Sequence, residues 1–276
     1  MTRVSVIILN YKRPHNIYKL VPELLKFEEI DDIIISHGDI DNVIKINHPK
    51  VVNIYDWDIN DKYYTFLKFK NYVFAKNKCV LLLDDDIYPS RELFYNMLNN
   101  YNKNKLGLYG PSYRVCGNTY ETFNNYNDRY RYIKYVIFIV VLINIMCICN
   151  KYHSKIIVCL SIIFMIILYI SCFNKKVIPN TILTNICMVN KEVINNIWNH
   201  ISTPKYKHLY NIVINNKGNG EDLLFNHVYR KLYSNPTYVF GEVNKLDTSD
   251  GFSTVNNKDH INYRKNFCKI LINYNK

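Results

Sequence analysis

The stretch that decides the fold is Val80–Ile87, VLLLDDDI, in which four apolar residues run directly into three carboxylates. A continuous apolar run of this length is typical of a strand that is buried on both faces, as in a parallel sheet. The acids then lie at the carboxyl end of that strand, which is the edge where open α/β sheets bind their ligands. The sequence therefore predicts a ligand site built on these three acids.

Three adjacent carboxylates repel one another unless a cation neutralises them. A hard divalent ion with oxygen ligands, such as Mg²⁺ or Mn²⁺, suits Asp84, Asp85 and Asp86 best. Such an ion usually keeps several waters and shares the diphosphate of a substrate, so the first hypothesis is an enzyme that acts on a nucleotide conjugate. The alternative, a strand that runs into a solvated acidic turn, stays open at this point.

The chain has 276 residues and a formal net charge of +12, which indicates a basic surface. Its length suffices for one large core or two smaller ones. The candidate partners of a basic surface are nucleic acid, anionic lipid and phosphorylated substrates. The sequence has no arginine-rich cluster and no aromatic RNA-binding signature, which argues against nucleic acid as the partner.

Eight cysteines occur, and none of them belongs to a paired C-x-x-C zinc pattern. We expect them to be reduced, small apolar residues of a cytosolic domain. A Cys187–Cys268 or a Cys116–Cys268 bridge stays open as an alternative. The first predicted strand begins within a few residues of Met1, so we expect no signal peptide.

Apolar runs that alternate with amphipathic segments predict a parallel α/β sheet in the first part of the chain. The predicted strands before the acids are Val4–Leu9, Ile33–Ser36 and Val51–Ile54. The predicted helices there are Pro14 to about Phe27, Lys62–Lys76, and Arg91 to about Tyr101. After residue 177 we predict a strand over Thr181–Val189 and helices over Lys191–Ile201, Leu223–Tyr233 and Asp259–Ile272.

A very apolar segment interrupts this pattern between residues 131 and 176. Tyr135–Cys149 and Ile156–Phe173 are apolar runs that the polar turn Asn150–Lys155 separates. A helix of about 18 residues spans about 27 Å, close to the roughly 30 Å of a bilayer core, so we predict a membrane hairpin. The basic residues that flank it place the attached catalytic domain in the cytosol. A helical hairpin buried in a soluble domain and a shallow interfacial hairpin stay open.

A second acidic group, Glu221 and Asp222, follows the loop Asn216–Gly220 and precedes a predicted helix. Acids at the start of a helix ordinarily interact with its macrodipole, and that alternative stays open. A flexible Gly-Asn-Gly loop is more than a cap requires, so we predict a catalytic role. In a sugar transfer, such a carboxylate accepts the proton of the acceptor hydroxyl or stabilises positive charge at the anomeric carbon.

Two further groups contain the residue types of a nucleotide site. His260 and Arg264 lie four residues apart on the last predicted helix and so face the same side. A histidine can ligate a metal, and an arginine can bind a diphosphate. Tyr11 and Arg13 follow the first strand at the same sheet edge as the acids, where a basic residue can hold the base or the phosphates of a nucleotide. A solvated helix face and an ordinary polar loop are the respective alternatives.

Five blocks of this sequence, in one order, resemble the GT-A glycosyltransferases of the exostosin-type family (glycosyltransferase family 64). The blocks are Val4–Pro14, Asn60–Tyr63, Leu83–Asp86, Gly220–Asn226, and the closing set of Gly251–Ser253, His260, Arg264 and Cys268. Together they cover most of residues 1–125 and 178–270. The resemblance implies a GT-A-type, Rossmann-like mixed sheet flanked by helices.

The resemblance further implies a metal-dependent, retaining transfer of an N-acetylhexosamine or a similar sugar from a UDP-sugar to a glycan or a lipid-linked acceptor. In this scheme Asp86 is the main ligand of Mn²⁺ or Mg²⁺, and Asp84 and His260 are further candidate ligands. Asp84 and Asp85 would contact the ribose or metal-bound waters. The remaining donor-binding candidates are Tyr11, Arg13, Asn60, Lys62 and Arg264, of which Arg264 would lie on the diphosphate.

The same resemblance implies that Asp222, next to Glu221, lies beside the reacting sugar. Gly220 stands where the family usually has a cysteine, so we expect the family disulfide with Cys268 to be absent. The apolar segment has no counterpart in the family pattern. We therefore predict that residues 1–130 bind the nucleotide sugar, residues 131–176 form the membrane hairpin, and residues 177–276 complete the acceptor and catalytic half.

Two other functions stay open. A metal-dependent nucleotidyl or phosphoryl transferase would also use clustered aspartates, but it would need a phosphate-cradling glycine loop near the first strand, where the sequence has none. A membrane adaptor that retains a degenerate, non-catalytic domain is the other alternative.

Overall fold

A computed structural model describes residues 2–116, 120–123, 180–246 and 258–274. The chain divides into two compact units, one formed by Met1–Thr122 with Pro179–Lys276 and the other by Phe123–Ile178. The hairpin predicted between Tyr135 and Phe173 lies outside the described residues, so its existence and its relation to a membrane stay predictions. Within the described ranges, no helix has both the length and the apolar character needed to cross a bilayer.

The first unit is built on a mixed β-sheet. The strands of the described residues are β1 (Val4–Asn10), β2 (Ile30–His37), β3 (Val51–Tyr55), β4 (Cys79–Asp84), β5 (Ile87–Pro89), β6 (Leu108–Gly110), β7 (Tyr113–Cys116), β8 (Tyr120–Phe123), β9 (Thr181–Ile182), β10 (Ile186–Asn190), β11 (Thr237–Tyr238) and β12 (Val243–Lys245). Seven of them form one sheet in the order β11-β6-β10-β4-β1-β2-β3, and β12-β5 and β8-β7-β9 form two small sheets.

The strand directions decide between the two sheet types that the sequence suggested. The strands β3, β2, β1 and β4 are parallel to one another. The strand β10 runs antiparallel to both β4 and β6. The predicted α/β class with a mixed sheet is therefore confirmed. The β3-β2-β1-β4 half of the large sheet is purely parallel, and in the other half β11 is parallel to β6 while β10 is antiparallel to both of its neighbours.

Helices flank this sheet. They are α1 (Pro14–Leu25), α2 (Asn60–Tyr63), α3 (Leu67–Lys70), α4 (Arg91–Lys103), α5 (Lys191–Ile201), α6 (Pro204–Asn215), α7 (Glu221–Leu232) and α8 (Lys258–Asn273), with 3₁₀ turns at Ile40–Asn42, Tyr64–Phe66 and Asn71–Phe74. Val4, Val6 and Ile8 of β1 are fully buried in one cluster with the apolar faces of α1 and α4. Each such buried aliphatic side chain contributes about 1.5–3 kcal/mol, and this packing aligns the ends of β1 and β4.

The helix predicted over Lys62–Lys76 is wrong as one continuous helix. The segment passes instead through α2, a 3₁₀ turn, α3 and a second 3₁₀ turn. Tyr64 has a φ of 45°, in the left-handed region where a right-handed helix does not continue. The hydroxyl of Thr65 donates a hydrogen bond to the carbonyl of Gly218 at 2.9 Å, so the broken segment contacts the loop that precedes α7.

The strand predicted over Thr181–Val189 is interrupted as well. It forms β9 and β10, and the turn between them lies next to the acids, because the amide of Asp84 donates to the carbonyl of Asn185 at 2.8 Å. The predicted helices that correspond to α5, α7 and α8 are confirmed, with ends shifted by at most two residues. The helix α6, which begins with Pro204 at its first position, was not predicted.

Cys116 and Cys268 form a disulfide, with their Cα atoms 5.4 Å apart. The expectation of reduced cysteines is therefore wrong for this pair, and the bridge that forms is one of the two left open by the sequence. Cys79 and Cys187 are free and buried, as expected. The disulfide connects α8 to β7 across a sequence separation of 152 residues. Local sequence patterns do not indicate which cysteines pair over such a separation.

Candidate active site

The three acids at the end of β4 lie where the sequence placed them, at the carboxyl edge of the sheet. Asp84 is the last residue of β4 and stands opposite Leu9 of the parallel strand β1. The side chains of Asp84 and Asp86 are 34 % and 23 % exposed, whereas that of Asp85 is 2 % exposed. The triplet is thus split into two accessible carboxylates and one buried carboxylate.

The loop between β1 and α1 is held on the acids. Arg13 forms ion pairs with Asp85 at 2.5 Å and with Asp86 at 2.9 Å. The backbone amide of Tyr11 donates to Asp85 at 3.0 Å, and Lys12 between them has a φ of 64°, a left-handed conformation that turns the loop sharply. The structure therefore brings the predicted donor-binding residues Tyr11 and Arg13 to the acids.

Burial and mutual repulsion oppose the negative charge at this edge. Burial raises the pKa of Asp85 to about 7, although Arg13 and the amide of Tyr11 act in the opposite direction. Burial, and then the charge of Asp84, raise the pKa of Asp86 against the effect of Arg13. One arginine thus compensates the two acids only in part, and a further cation would stabilise their ionised forms.

A buried lysine connects the two acidic groups that the sequence predicted separately. Lys68 of α3 has no solvent exposure, and its ammonium donates to Asp84 at 2.9 Å and to the carbonyl of Thr184 at 3.1 Å. The same ammonium lies 3.6 Å from Glu221. The end of β4 and the start of α7 therefore share one counter-charge.

The position of α7 depends on two local features. Asn226 accepts a hydrogen bond from the amide of Ile182 at 2.9 Å and donates to its carbonyl at 2.8 Å, which anchors α7 on β9. Gly220 caps the helix with a φ of 98°, and a Cβ there would lie 3.1 Å from the ring of Phe267. Glycine therefore suits this position better than the cysteine of the family pattern.

Asp222 of α7 is paired with Arg264 of α8. Both side chains are buried, and the guanidinium of Arg264 donates to a carboxylate oxygen of Asp222 and, at 3.3 Å, to Asn219. The second oxygen of Asp222, Oδ1, is buried with no hydrogen-bond partner among the described residues. The structure thus brings Asp222 and Arg264 into an ion pair that the sequence analysis did not predict.

His260, on α8, lies near charged groups of α7, α8 and β7. Burial lowers its pKa, and the neighbouring charges that act on it are those of Arg264, Asp222 and Arg114. Across the described ranges, no three histidine, cysteine or acidic side chains are arranged to hold a metal ion. The ligand set of Asp84, Asp86 and His260 therefore stays a prediction.

The other predicted donor-binding residues, Asn60 and Lys62, differ in their placement. Asn60 is buried at the start of α2, and a Cβ at Gly38 would lie 2.9 Å from its side-chain oxygen, so it stands at the end of β2 on the carboxyl edge. Lys62 is exposed, and its ammonium lies over the ring of Tyr63 at 5.3 Å.

An aromatic row that the sequence prediction missed lies on the same edge. The ring of His37, the last residue of β2, stacks on that of Tyr55, the last residue of β3, with a centroid distance of 5.5 Å. Trp57 follows, with its ring 5.2 Å from that of Tyr55. Tyr55 and Trp57 are exposed, so part of their aromatic surface is accessible to a flat ring such as a nucleobase.

The charges of the site do not balance among themselves. The carboxylates are Asp84, Asp85, Asp86, Glu221 and Asp222, and the cations paired with them are Arg13, Lys68 and Arg264. Five acids and three cations leave a formal charge of −2 when all are ionised. A divalent ion fits this excess, and it fits the two accessible carboxylates, because Mg²⁺ commonly takes one or two carboxylates together with waters and substrate phosphates.

Lys68 is the main residue that sequence reasoning missed. The signal was weak: a lysine between Leu67 and Phe69 in a segment predicted as one continuous helix. The segment breaks at Tyr64 instead, and Lys68 lies in the short helix that follows.

No family model matches this chain, and no curated protein matches it.

Proposed function

We propose that this protein is a metal-dependent glycosyltransferase of the GT-A type, which transfers a sugar such as an N-acetylhexosamine from a UDP-sugar to a glycan or a lipid-linked acceptor. The observation that carries the proposal is the contact of Lys68 with both Asp84 and Glu221. It joins the acids that end β4 and the acids that begin α7 at the carboxyl edge of the sheet. A UDP-sugar needs both groups, one for its diphosphate and one beside its sugar.

The diphosphate end of the donor is assigned to β4. Asp86 and Asp84, which are accessible, would hold a divalent ion there, and Arg13 is close enough to share the charge of the phosphates. When bound, the ion neutralises the UDP that leaves and orients it for the reaction. The excess of carboxylates over the cations paired with them supports this assignment.

The sugar end of the donor is assigned to α7. The buried Oδ1 of Asp222 has no donor within the described part of the chain, and a buried carboxylate oxygen without a donor is costly. A sugar hydroxyl supplies the missing hydrogen bond. Glu221 lies next to the ammonium of Lys68 and accepts a hydrogen bond from the hydroxyl of Thr184. Its carboxylate would add negative charge next to the anomeric carbon, where positive charge grows during the transfer.

Two features of the fold support the same orientation of the donor. The large sheet is mixed, as a GT-A-type fold requires, and its acids are at the carboxyl edge. The exposed rings of Tyr55 and Trp57 lie two strands away from β1 on that edge. They offer a stacking surface for the base at the end of the donor that is remote from the sugar.

The experiment that tests this function compares the wild-type chain with Asp86→Ala. UDP-sugars are screened for Mn²⁺-dependent hydrolysis, and Mn²⁺-dependent binding of UDP is measured by calorimetry. We expect Asp86→Ala to abolish turnover while the protein stays folded, because it removes the carboxylate that is proposed as the main ligand of the metal ion. Asp41→Asn, which changes an exposed acid in the β2–β3 connection, is the matched control and should keep full turnover.

Three results would contradict the proposal. Unchanged turnover in Asp86→Ala would show that Asp86 has no role in the reaction. Release of pyrophosphate instead of UDP would indicate a nucleotidyl transferase. A wild-type chain that gives no metal-dependent heat with UDP would indicate a protein without this activity, such as an adaptor.

A further inference from the structure

Lys68 occupies a position that is unusual for a lysine. It has no exposed surface and lies between Leu67 and Phe69, which are buried as well. Moving an ammonium group out of water costs a large free energy unless counter-charges and hydrogen bonds replace the water. The charge at this position is therefore stable only because of its partners.

The partners of Lys68 come from three separate parts of the chain. They are Asp84 at 2.9 Å, at the end of β4, the carbonyl of Thr184 at 3.1 Å, between β9 and β10, and Glu221 at 3.6 Å, in the first turn of α7. The hydroxyl of Thr184 also donates to Glu221 at 3.1 Å. One ammonium group thus connects the strand, the turn and the helix that build the candidate site.

The charges explain why this connection is strong. Asp84, Glu221 and the carbonyl of Thr184 lie around the ammonium of Lys68 and replace the water that burial removes. Burial, and then Asp222, raise the pKa of Glu221, whereas Lys68 and Arg264 lower it. Without Lys68, Glu221 and Asp84 would face each other as like charges in a partly buried site.

We propose that Lys68 is a positioning residue of this site: it holds Glu221, and with it the first turn of α7, against Asp84, without itself contacting the substrate. The inference rests on the proposed function, which assigns the sugar to α7 and the diphosphate to β4. A displacement of about 1 Å at a reacting centre can cost about 100-fold in rate. The loss of Lys68 should therefore affect turnover far more than it affects donor binding.

The test is Lys68→Met, which keeps most of the side-chain length and removes the charge. In the full chain with Mn²⁺, we expect kcat for hydrolysis of the UDP-sugar to fall about 100-fold, while KM and the Kd of UDP change by less than about threefold. A wild-type kcat in folded Lys68→Met would overturn the proposal. An equal loss in KM and kcat would indicate binding, not positioning, and would overturn it as well.

Lys191→Met is the matched control. The ammonium of Lys191 donates to the carbonyl of Ala75 at 2.6 Å and to that of Val73 at 3.3 Å, so this lysine also anchors the segment between β3 and β4. Its removal should lower the melting temperature and leave kcat within about twofold of the wild type. A drop in kcat equal to that of Lys68→Met would reduce the role of Lys68 to general stability.

The double variant Lys68→Met/Glu221→Gln keeps the test decisive if Lys68→Met alone fails to fold, because it removes both charges of a buried pair. If Lys68 acts by holding Glu221, adding Lys68→Met to Glu221→Gln should lower kcat by less than about threefold. A further fall of about 100-fold would contradict the proposal.

The two proposals fail in different ways. A wild-type chain without Mn²⁺-dependent UDP binding contradicts the proposed function, whatever the variants do. Wild-type turnover together with full kcat in Lys68→Met contradicts only the positioning role.

Discussion

The first turn and the middle of α7 each bury an ionisable side chain, but the charged groups around the two side chains differ. In the first turn, Asp222 is paired with Arg264. Later in the same helix, His227 is buried to the same extent, with 2 % exposure in each case, and the charged groups that act on it are the cations Lys231 and Arg230. The comparison shows that equal burial does not fix the partners of an ionisable side chain: a neighbouring element supplies a counter-charge to Asp222, whereas the charges that act on His227 are cations of its own helix.

The environment of His227 is aromatic. Its ring lies 6.4 Å from that of Tyr206 and 6.5 Å from that of Tyr274. Burial, followed by Lys231 and Arg230, lowers its pKa to about 4, so the imidazole is neutral at neutral pH. The first turn of α7 carries a buried charge pair, which is typical of a functional site. This later part of the helix carries a neutral ring among aromatic side chains, which is typical of a core. The three variants below test that distinction, from the largest expected effect to the smallest.

The largest effect on stability is expected for Arg264→Met. It leaves the carboxylate of Asp222 buried without its counter-charge, which typically costs about 3–5 kcal/mol. The free energy of unfolding in urea measures this loss. Lys265→Met, at the exposed neighbouring position, should change it by less than about 0.5 kcal/mol. A loss below about 1 kcal/mol in Arg264→Met would show that the pair contributes little and would break the comparison.

A smaller loss is expected for Cys116→Ser. The disulfide ties α8, which carries Arg264, to β7, and removing such a bond typically costs about 3 kcal/mol. Unfolding in urea should show the difference under oxidising conditions. With dithiothreitol present, wild type and variant should unfold at nearly the same urea concentration. Equal stability under both conditions would mean that charge pairing and packing alone hold α8 in place.

The smallest of the three effects is the pH dependence due to His227. Its folded pKa of about 4 lies below the unfolded value of about 6.5, so the unfolded state binds more protons between these values. Stability is complete above about pH 6.5 and falls as the pH falls towards 4, by about 2 kcal/mol between pH 7 and pH 5.

Replacement of the histidine tests this contribution directly. His227→Leu should flatten the dependence of unfolding free energy on pH in this window, whereas His208→Leu, at an exposed position of α6, should leave it unchanged. An unchanged slope in His227→Leu would show that the buried ring is not the source of the acid sensitivity.

Local patterns predicted much of the sheet and its helices. The apolar run before Asp84 identified β4, and the helical period after Pro14 identified α1. They failed where a distant contact overrides local preference. The segment after Asn60 reads as one helix, but Tyr64 takes a left-handed conformation and Thr65 bonds to the carbonyl of Gly218, and neither feature leaves a periodic signal.

For the candidate site, the sequence predicted which residues take part but not how they pair. Residue type and position at a strand or helix end selected the acids and Arg13, whereas Arg264 was selected by its helical spacing from His260 and by the family resemblance. Their pairing was not predicted, and the role of His260 as a metal ligand stays a prediction. A histidine at helical spacing from an arginine shows which face of the helix they share, but not which element covers that face.

The sequence by itself determined where the acids stand, because apolar runs and helical periods are local properties that each segment carries alone. Only the tertiary structure decided which cation faces which acid and that Cys116 meets Cys268. Charge pairing in a site depends on distances between segments that are far apart in the chain. A lysine such as Lys68 is therefore an ordinary surface residue in the sequence and a buried counter-charge only after β4, α3 and α7 have packed together.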